Sequence, residues 1–194
     1  IIDNNVNIPD RTQAILHGGE NPVPEMLKSA SLLEKAGADV ILMPCNTAHF
    51  FLDRLLPQVH VPFLNMLSAT ALRLKRDGIS AAGLLATEGT IQSGIYEKEF
   101  QKQGIRTILP DEPDRRRIMN AIYSVKGGKP VSGEALRQIA GRLRENGAGG
   151  IVLGCTELPI AFQGIALNLP CYDPTEILAE QAVLFAGKKI SRKK

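Results

Sequence analysis

Apolar and polar positions follow two rhythms along the chain. Short apolar runs dense in Val, Ile and Leu recur between longer stretches in which apolar positions return every three or four residues. The first rhythm suits strands buried on both faces, and the second suits helices laid over them. Their alternation predicts an α/β fold built on parallel sheets. A helix is expected from Pro24 to Ala36, opened by proline in its first turn and closed by Gly37. Strand 40–43, helix 47–56 ended by Pro57, strand 61–64 and helix 67–76 stopped by Gly78 follow. The pattern then restarts with strand 81–86, helix 90–103, strand 106–109, helices 114–125 and 132–146, strand 151–153, a short strand 167–169 and a closing helix 175–186.

One segment of this alternation occurs twice. Residues 33–47 and 143–157 each carry a helix end, a Gly-Ala pair, an apolar strand and a cysteine. Cys45 follows Gly37 by the same interval that separates Cys155 from Gly147. A second, proline-containing strand comes after each: Val61-Pro62-Phe63-Leu64 and Leu169-Pro170-Cys171-Tyr172. The repetition predicts two Rossmann-like halves related by a pseudo-two-fold, comprising 1–72 plus 170–194 and 73–169. Open α/β sheets bind ligands beyond the carboxyl ends of their strands, where both cysteines fall. Helix starts at such ends favour anions and lower thiol pKa values. A thiolate base and a thiol acid on opposite faces of one ligand is the chemistry this placement suits. The other reading of a free cysteine is a small buried hydrophobe, and Cys171, which lacks the context, takes that reading.

Composition narrows the function classes. Hydrophobic residues make up 44% of the 194 and aromatics only 5%, with no Trp, so the core is aliphatic. The three cysteines form no C-x-x-C pair or disulfide framework, which points to free thiols in the cytoplasm. No apolar run approaches the ~20 residues that cross a membrane. Net charge is +3, and five of the last seven residues are basic. Neither that tail, read as a solvated terminus, nor Arg115-Arg116-Arg117 is interleaved with aromatics that would stack on bases, which argues against nucleic acid.

With these residues in hand, the chain resembles the aspartate/glutamate racemase family. The resemblance rests on Pro44-Cys45-Asn46-Thr47-Ala48-His49 and Gly154-Cys155-Thr156-Glu157-Leu158-Pro159. Ile8-Pro9-Asp10-Arg11-Thr12, Leu84-Leu85-Ala86-Thr87-Glu88-Gly89-Thr90 and Val125-Lys126 support it, and Arg11 with Lys126 favours the aspartate branch. The family implies two Rossmann-like domains with the site between them, a small amino-acid substrate, no pyridoxal phosphate or other cofactor, no metal, and a homodimer. It also implies a first strand and glycine-rich turn near the amino terminus. These residues do not contain them, so the first sheet is expected to lack a strand.

The resemblance assigns Cys45 and Cys155 to α-proton transfer on opposite faces of the substrate. Asn46, Thr47, the backbone N–H groups through Ala48, and Thr156 are expected at the α-carboxylate, where charge builds as the proton leaves. Thr87 and Thr90 lie at another strand-to-helix turn and are expected to hold a carboxylate or amino group. Asn46, Thr47 and Thr90 also read as ordinary helix caps. Arg11 and Lys126 would hold a side-chain carboxylate. His49 either tunes Cys45 or is a satisfied half-buried histidine, and Glu157 either orients Cys155 or favours a helix start. Rival readings are a maleate-isomerase-, hydantoin-racemase- or arylmalonate-decarboxylase-like enzyme, and a non-catalytic or truncated ligand-binding relative.

Overall fold

A computed structural model describes residues 1–191; part of the basic tail, 192–194, lies outside the described residues. The chain opens with α1 (Arg11–Leu16), started by the Asp10 carboxylate, which accepts the Gln13 N–H at 2.8 Å. Then come α2 (Val23–Lys35), β1 (Ile41–Leu42), α3 (Leu52–Leu55), β2 (Phe63–Leu64) and α4 (Met66–Arg76). The second run is β3 (Ala81–Ala86), α5 (Glu88–Gln92), α6 (Ile95–Lys102), β4 (Arg106–Ile108), α7 (Glu112–Lys126) and α8 (Gly133–Glu145). It ends with β5 (Gly150–Gly154), α9 (Leu158–Ala161), β6 (Cys171–Tyr172) and α10 (Pro174–Phe185).

Every strand pairing is parallel. β1 and β2 form a small sheet, and the larger sheet runs β4-β3-β5-β6. β3 is buried along its whole length, and its side chains divide by parity as a pleated strand requires. Ala81 and Leu85 face α7 and α8 with Ile118, Ile122, Leu136 and Ile139, whereas Ala82, Leu84 and Ala86 face Leu67, Leu74, Tyr96 and Phe100 from α4 and α6. Each fully buried aliphatic side chain there contributes roughly 1.5–3 kcal/mol. Gly83 gives α8 its close seat: a Cβ at that position would stand 2.9 Å from Ile151 Cδ1 and 3.0 Å from Leu143 Cδ1. Along β5 the same parity continues past the strand end and turns Cys155 to the α7–α9 face.

Three predicted elements differ from those observed. No strand forms at 167–169; the last strand is Cys171–Tyr172, paired with β5, and its ladder is entered by Ile151 N–H donating to Pro170 O at 2.9 Å. Leu167 and Leu169 instead pack against the core from a loop, which gives them a strand-like alternation. The helix expected over 90–103 is two helices, because Gly94 takes a φ of +65° between them. The helix expected over 47–56 is a 3-10 turn at Thr47–Phe51 followed by the four-residue α3. The segment after 169 joins both sheets, since β6 extends the larger one while α10 packs on α4 and also reaches β2. Among the described residues no helix is long and apolar enough to cross a membrane.

Candidate active site

Cys45 follows β1 and Cys155 follows β5, so each thiol lies just beyond the carboxyl end of a strand in a different sheet. Both line one small cavity of about 60 Å³. Of the residues expected at the site, Arg11, Asn46, Thr47, Thr87, Lys126 and Thr156 join them there. Ala48 and Thr90 do not: Ala48 packs its methyl group against Val23, Met26 and Leu55, and Thr90 is fully buried behind Thr47 and Thr87. Asp10, Thr12 and Glu157 complete the lining.

Around Cys45 the backbone is pinned. Its N–H donates to Met43 O at 2.8 Å, and its carbonyl oxygen lies 2.9 Å from His49 Nδ1. His49 Nε2 accepts the Met66 N–H at 3.2 Å, so the ring carries its proton on Nδ1 and donates it to Cys45 O. His49 therefore binds the Cys45 backbone to the start of α4 and does not touch the thiol through these bonds. Burial holds its pKa below the ordinary histidine value.

Asn46 is not a cap: its side chain caps nothing, and Oδ1 accepts from the Tyr96 phenol at 2.5 Å. Its Nδ2 is buried and has no hydrogen-bond partner among the described residues. Next to it three hydroxyls close a triangle across the halves, Thr47 to Thr87 at 3.0 Å, Thr47 to Thr90 at 2.8 Å and Thr87 to Thr90 at 3.0 Å. Thr87 is the cap of α5, accepting the Thr90 N–H at 3.2 Å. The triangle fixes the separation of the turn after β1 from the turn after β3.

Opposite, the Cys155 thiol donates to Glu157 Oε2 at 2.9 Å, and the Thr156 hydroxyl donates to the same oxygen at 3.1 Å. Burial, and then the Glu157 carboxylate, push the Cys155 pKa well above the ordinary thiol range, with Lys126 opposing them. Cys155 is therefore a thiol, a proton donor. Arg11 spends one guanidinium nitrogen on Ile8 O at 3.2 Å and Pro9 O at 2.9 Å, which locks the loop before α1 and leaves its other nitrogens without hydrogen-bond partners among the described residues. Lys126, at the end of α7, makes no ion pair among the described residues and lies 5.7 Å from the Tyr123 ring. Arg115, Arg116 and Arg117 are by contrast paired with Glu88, Glu112 and Asp114. Cys171, expected from the sequence to be a small buried hydrophobe, is instead exposed on the short last strand, and it lies away from this cavity.

A family model described as Asp/Glu/Hydantoin racemase matches residues 1–182. The chain belongs to the Asp/Glu/Hydantoin racemase family. Among solved members of this fold, an aspartate racemase of Picrophilus torridus superposes with a TM-score of 0.88 at 32% identity, covering 98% of this chain and 80% of that one. An aspartate racemase homologue of Pyrococcus horikoshii superposes with a TM-score of 0.76 at 26% identity, over 85% of this chain and 74% of that one. The broad specificity amino-acid racemase RacX of Bacillus subtilis is 30% identical over 81% of this chain and 69% of its own length. A glutamate racemase of Desulforudis audaxviator is 30% identical, and the match spans 54% of that protein's length.

Tyr96 was not legible as a site residue, since no motif surrounds it and its contact with Asn46 spans 50 positions. Asp10 and Thr12 lie within the Ile8–Thr12 motif, which singled out Arg11 alone.

Proposed function

We propose that the protein is an amino-acid racemase that acts on aspartate or glutamate by passing protons between Cys45 and Cys155, without a cofactor. The observation that carries this is the convergence of two thiols, from the strand ends of two parallel sheets, on one cavity. In one direction the Cys45 thiolate takes the α-proton, leaving the C–H electron pair on the substrate as a carbanion. That pair then takes the proton of the Cys155 thiol from the other face, leaving Cys155 as the thiolate. The opposite enantiomer follows the same steps reversed.

Charge developing on the α-carboxylate is met by donors fixed around the cavity, where one such donor typically contributes about 3–4 kcal/mol. The Asn46 amide, the Thr156 hydroxyl and the backbone N–H groups after Cys45 fill that role. Thr47 and Thr87 set the cleft width and offer hydroxyls to the amino group. Arg11 and Lys126 take the side-chain carboxylate, Arg11 with the guanidinium nitrogens its own loop leaves over. The reading includes the two-unit division, 1–72 plus 170–194 against 73–169, a homodimer and a cytoplasmic location, where free thiols stay reduced.

A wider substrate range is the second reading. An apolar groove of about 570 Å³, lined by Ile8, Met26, Leu33, Met43 and Phe63, meets the cavity at Arg11 and Cys45, and one relative is a broad specificity racemase. Proton NMR of L-aspartate, L-glutamate and neutral amino acids in D₂O tests both. Loss of the α-proton signal with the D-enantiomer appearing on a chiral column is expected first for an acidic substrate. Activity confined to apolar substrates favours the second reading, and silence across the panel overturns both.

A further inference from the structure

We propose that Tyr96 is a positioning residue of this site: its phenol holds the Asn46 amide in the orientation that presents N–H groups, rather than the carbonyl, to the substrate carboxylate. The inference rests on the racemase reading and adds a residue to it.

Tyr96 and Asn46 come from opposite halves of the repeat, α6 and the turn after β1, and exposure is 0% and 2% respectively. The 2.5 Å separation of the phenol oxygen from Oδ1 lies in the O–H···O range and below that of N–H···O bonds. The phenol is therefore the donor and Oδ1 the acceptor. An amide is planar, so fixing Oδ1 on Tyr96 directs Nδ2 away from it. That nitrogen is buried and unpartnered, and Asn46 lines the cavity between the two thiols. A buried donor that the protein leaves unpaired costs free energy and is explained when a ligand supplies the acceptor. A flipped amide would instead set a carbonyl oxygen against a carboxylate.

Tyr96 itself has little freedom. Its ring lies 5.2 Å from the Phe100 ring, and burial keeps the phenol protonated far above the ordinary tyrosine range. Gly94, at a φ of +65°, breaks the helix just before it, starting α6 afresh and setting the direction from which Tyr96 enters the core. A continuous helix through this segment would carry the phenol elsewhere.

The test is a double-mutant cycle read in kcat/KM for α-proton exchange and in the calorimetric Kd of L-aspartate. Tyr96→Phe keeps the ring against Phe100 and is expected to lower kcat/KM about tenfold, while Asn46→Ala lowers it about a hundredfold. In the Asn46→Ala background Tyr96→Phe is expected to cost nothing further, because the group it acts through is gone. Asn46→Asp, which still accepts from the phenol but offers no donor, should fall with Asn46→Ala. A tenfold loss in both backgrounds, or no loss in Tyr96→Phe alone, overturns the assignment. Absence of exchange in the wild-type protein would overturn the racemase reading instead, and the cycle in Kd would still decide the role of Tyr96.

Discussion

The Cys155 thiol and the Glu157 carboxylate, two residues apart in one turn, share a hydrogen bond of 2.9 Å in which sulfur is the donor. A carboxylate beside a buried thiol disfavours the thiolate twice, by like charge and by keeping the proton on sulfur. In the proposed mechanism Cys155 is thereby the resting acid of the pair. A thiolate formed there during turnover faces Glu157 and is driven to regain a proton.

Glu157→Gln removes the charge and keeps an acceptor. In protein carrying Cys45→Ser and Cys171→Ser, the pH of half-maximal alkylation of Cys155 by iodoacetamide should fall by about one unit or more. An unmoved midpoint would mean that the carboxylate does not act on the thiol.

His49 makes acid a destabilising condition. Its folded pKa lies below the ordinary 6.5, so the unfolded chain binds the proton first. The neutral ring's contribution is complete above pH 6.5 and is lost as pH falls from there through the folded value. The slope is about 1.4 kcal/mol per pH unit over that window. Urea midpoints between pH 7 and pH 5 should show it, and His49→Gln should flatten it at the expense of overall stability.

Gly89 is the seat of α1 on α5. An added Cβ would lie 2.8 Å from Thr12 Oγ1 and 3.1 Å from Thr12 Cα, and backbone cannot give way as a side-chain tip can. Gly89→Ala should push α1 outward, cost roughly 1–3 kcal/mol and raise KM through displacement of the neighbouring Arg11. Chemical denaturation and steady-state kinetics measure the two effects, and an unchanged KM would separate α1 from substrate binding.

Arg11 and Lys126, proposed to hold the side-chain carboxylate, should divide substrates by charge. Arg11→Gln and Lys126→Ala should each raise KM for aspartate by roughly 10- to 100-fold, the worth of a charge-assisted hydrogen bond. Turnover of a neutral amino acid, where present, should change little. Equal losses on both substrates would place these side chains in the fold rather than at the ligand.

The sequence was most legible where local pattern decides structure. β3 matches its expected bounds of 81–86, and the duplicated Gly-Ala-strand-Cys segments do end at one cavity. It was least legible where side chains meet across the halves. The bonds from Thr47 to Thr87 and Thr90 and the Tyr96–Asn46 bond join residues 40 or more positions apart through groups that also read as caps or core. Leu167 and Leu169 alternate like a strand because they pack from a loop, while the chain pairs two residues later, past Pro170.

The most direct test of the two-thiol mechanism is racemisation by Cys45→Ser and Cys155→Ser, each checked for native circular dichroism. A hydroxyl in place of either sulfur is far too weak an acid to exchange the α-proton at neutral pH. Both variants should lose racemisation by about 10²- to 10⁴-fold in both directions. Either variant folding normally and racemising at the wild-type rate would contradict the assignment of these two cysteines as the paired acid and base.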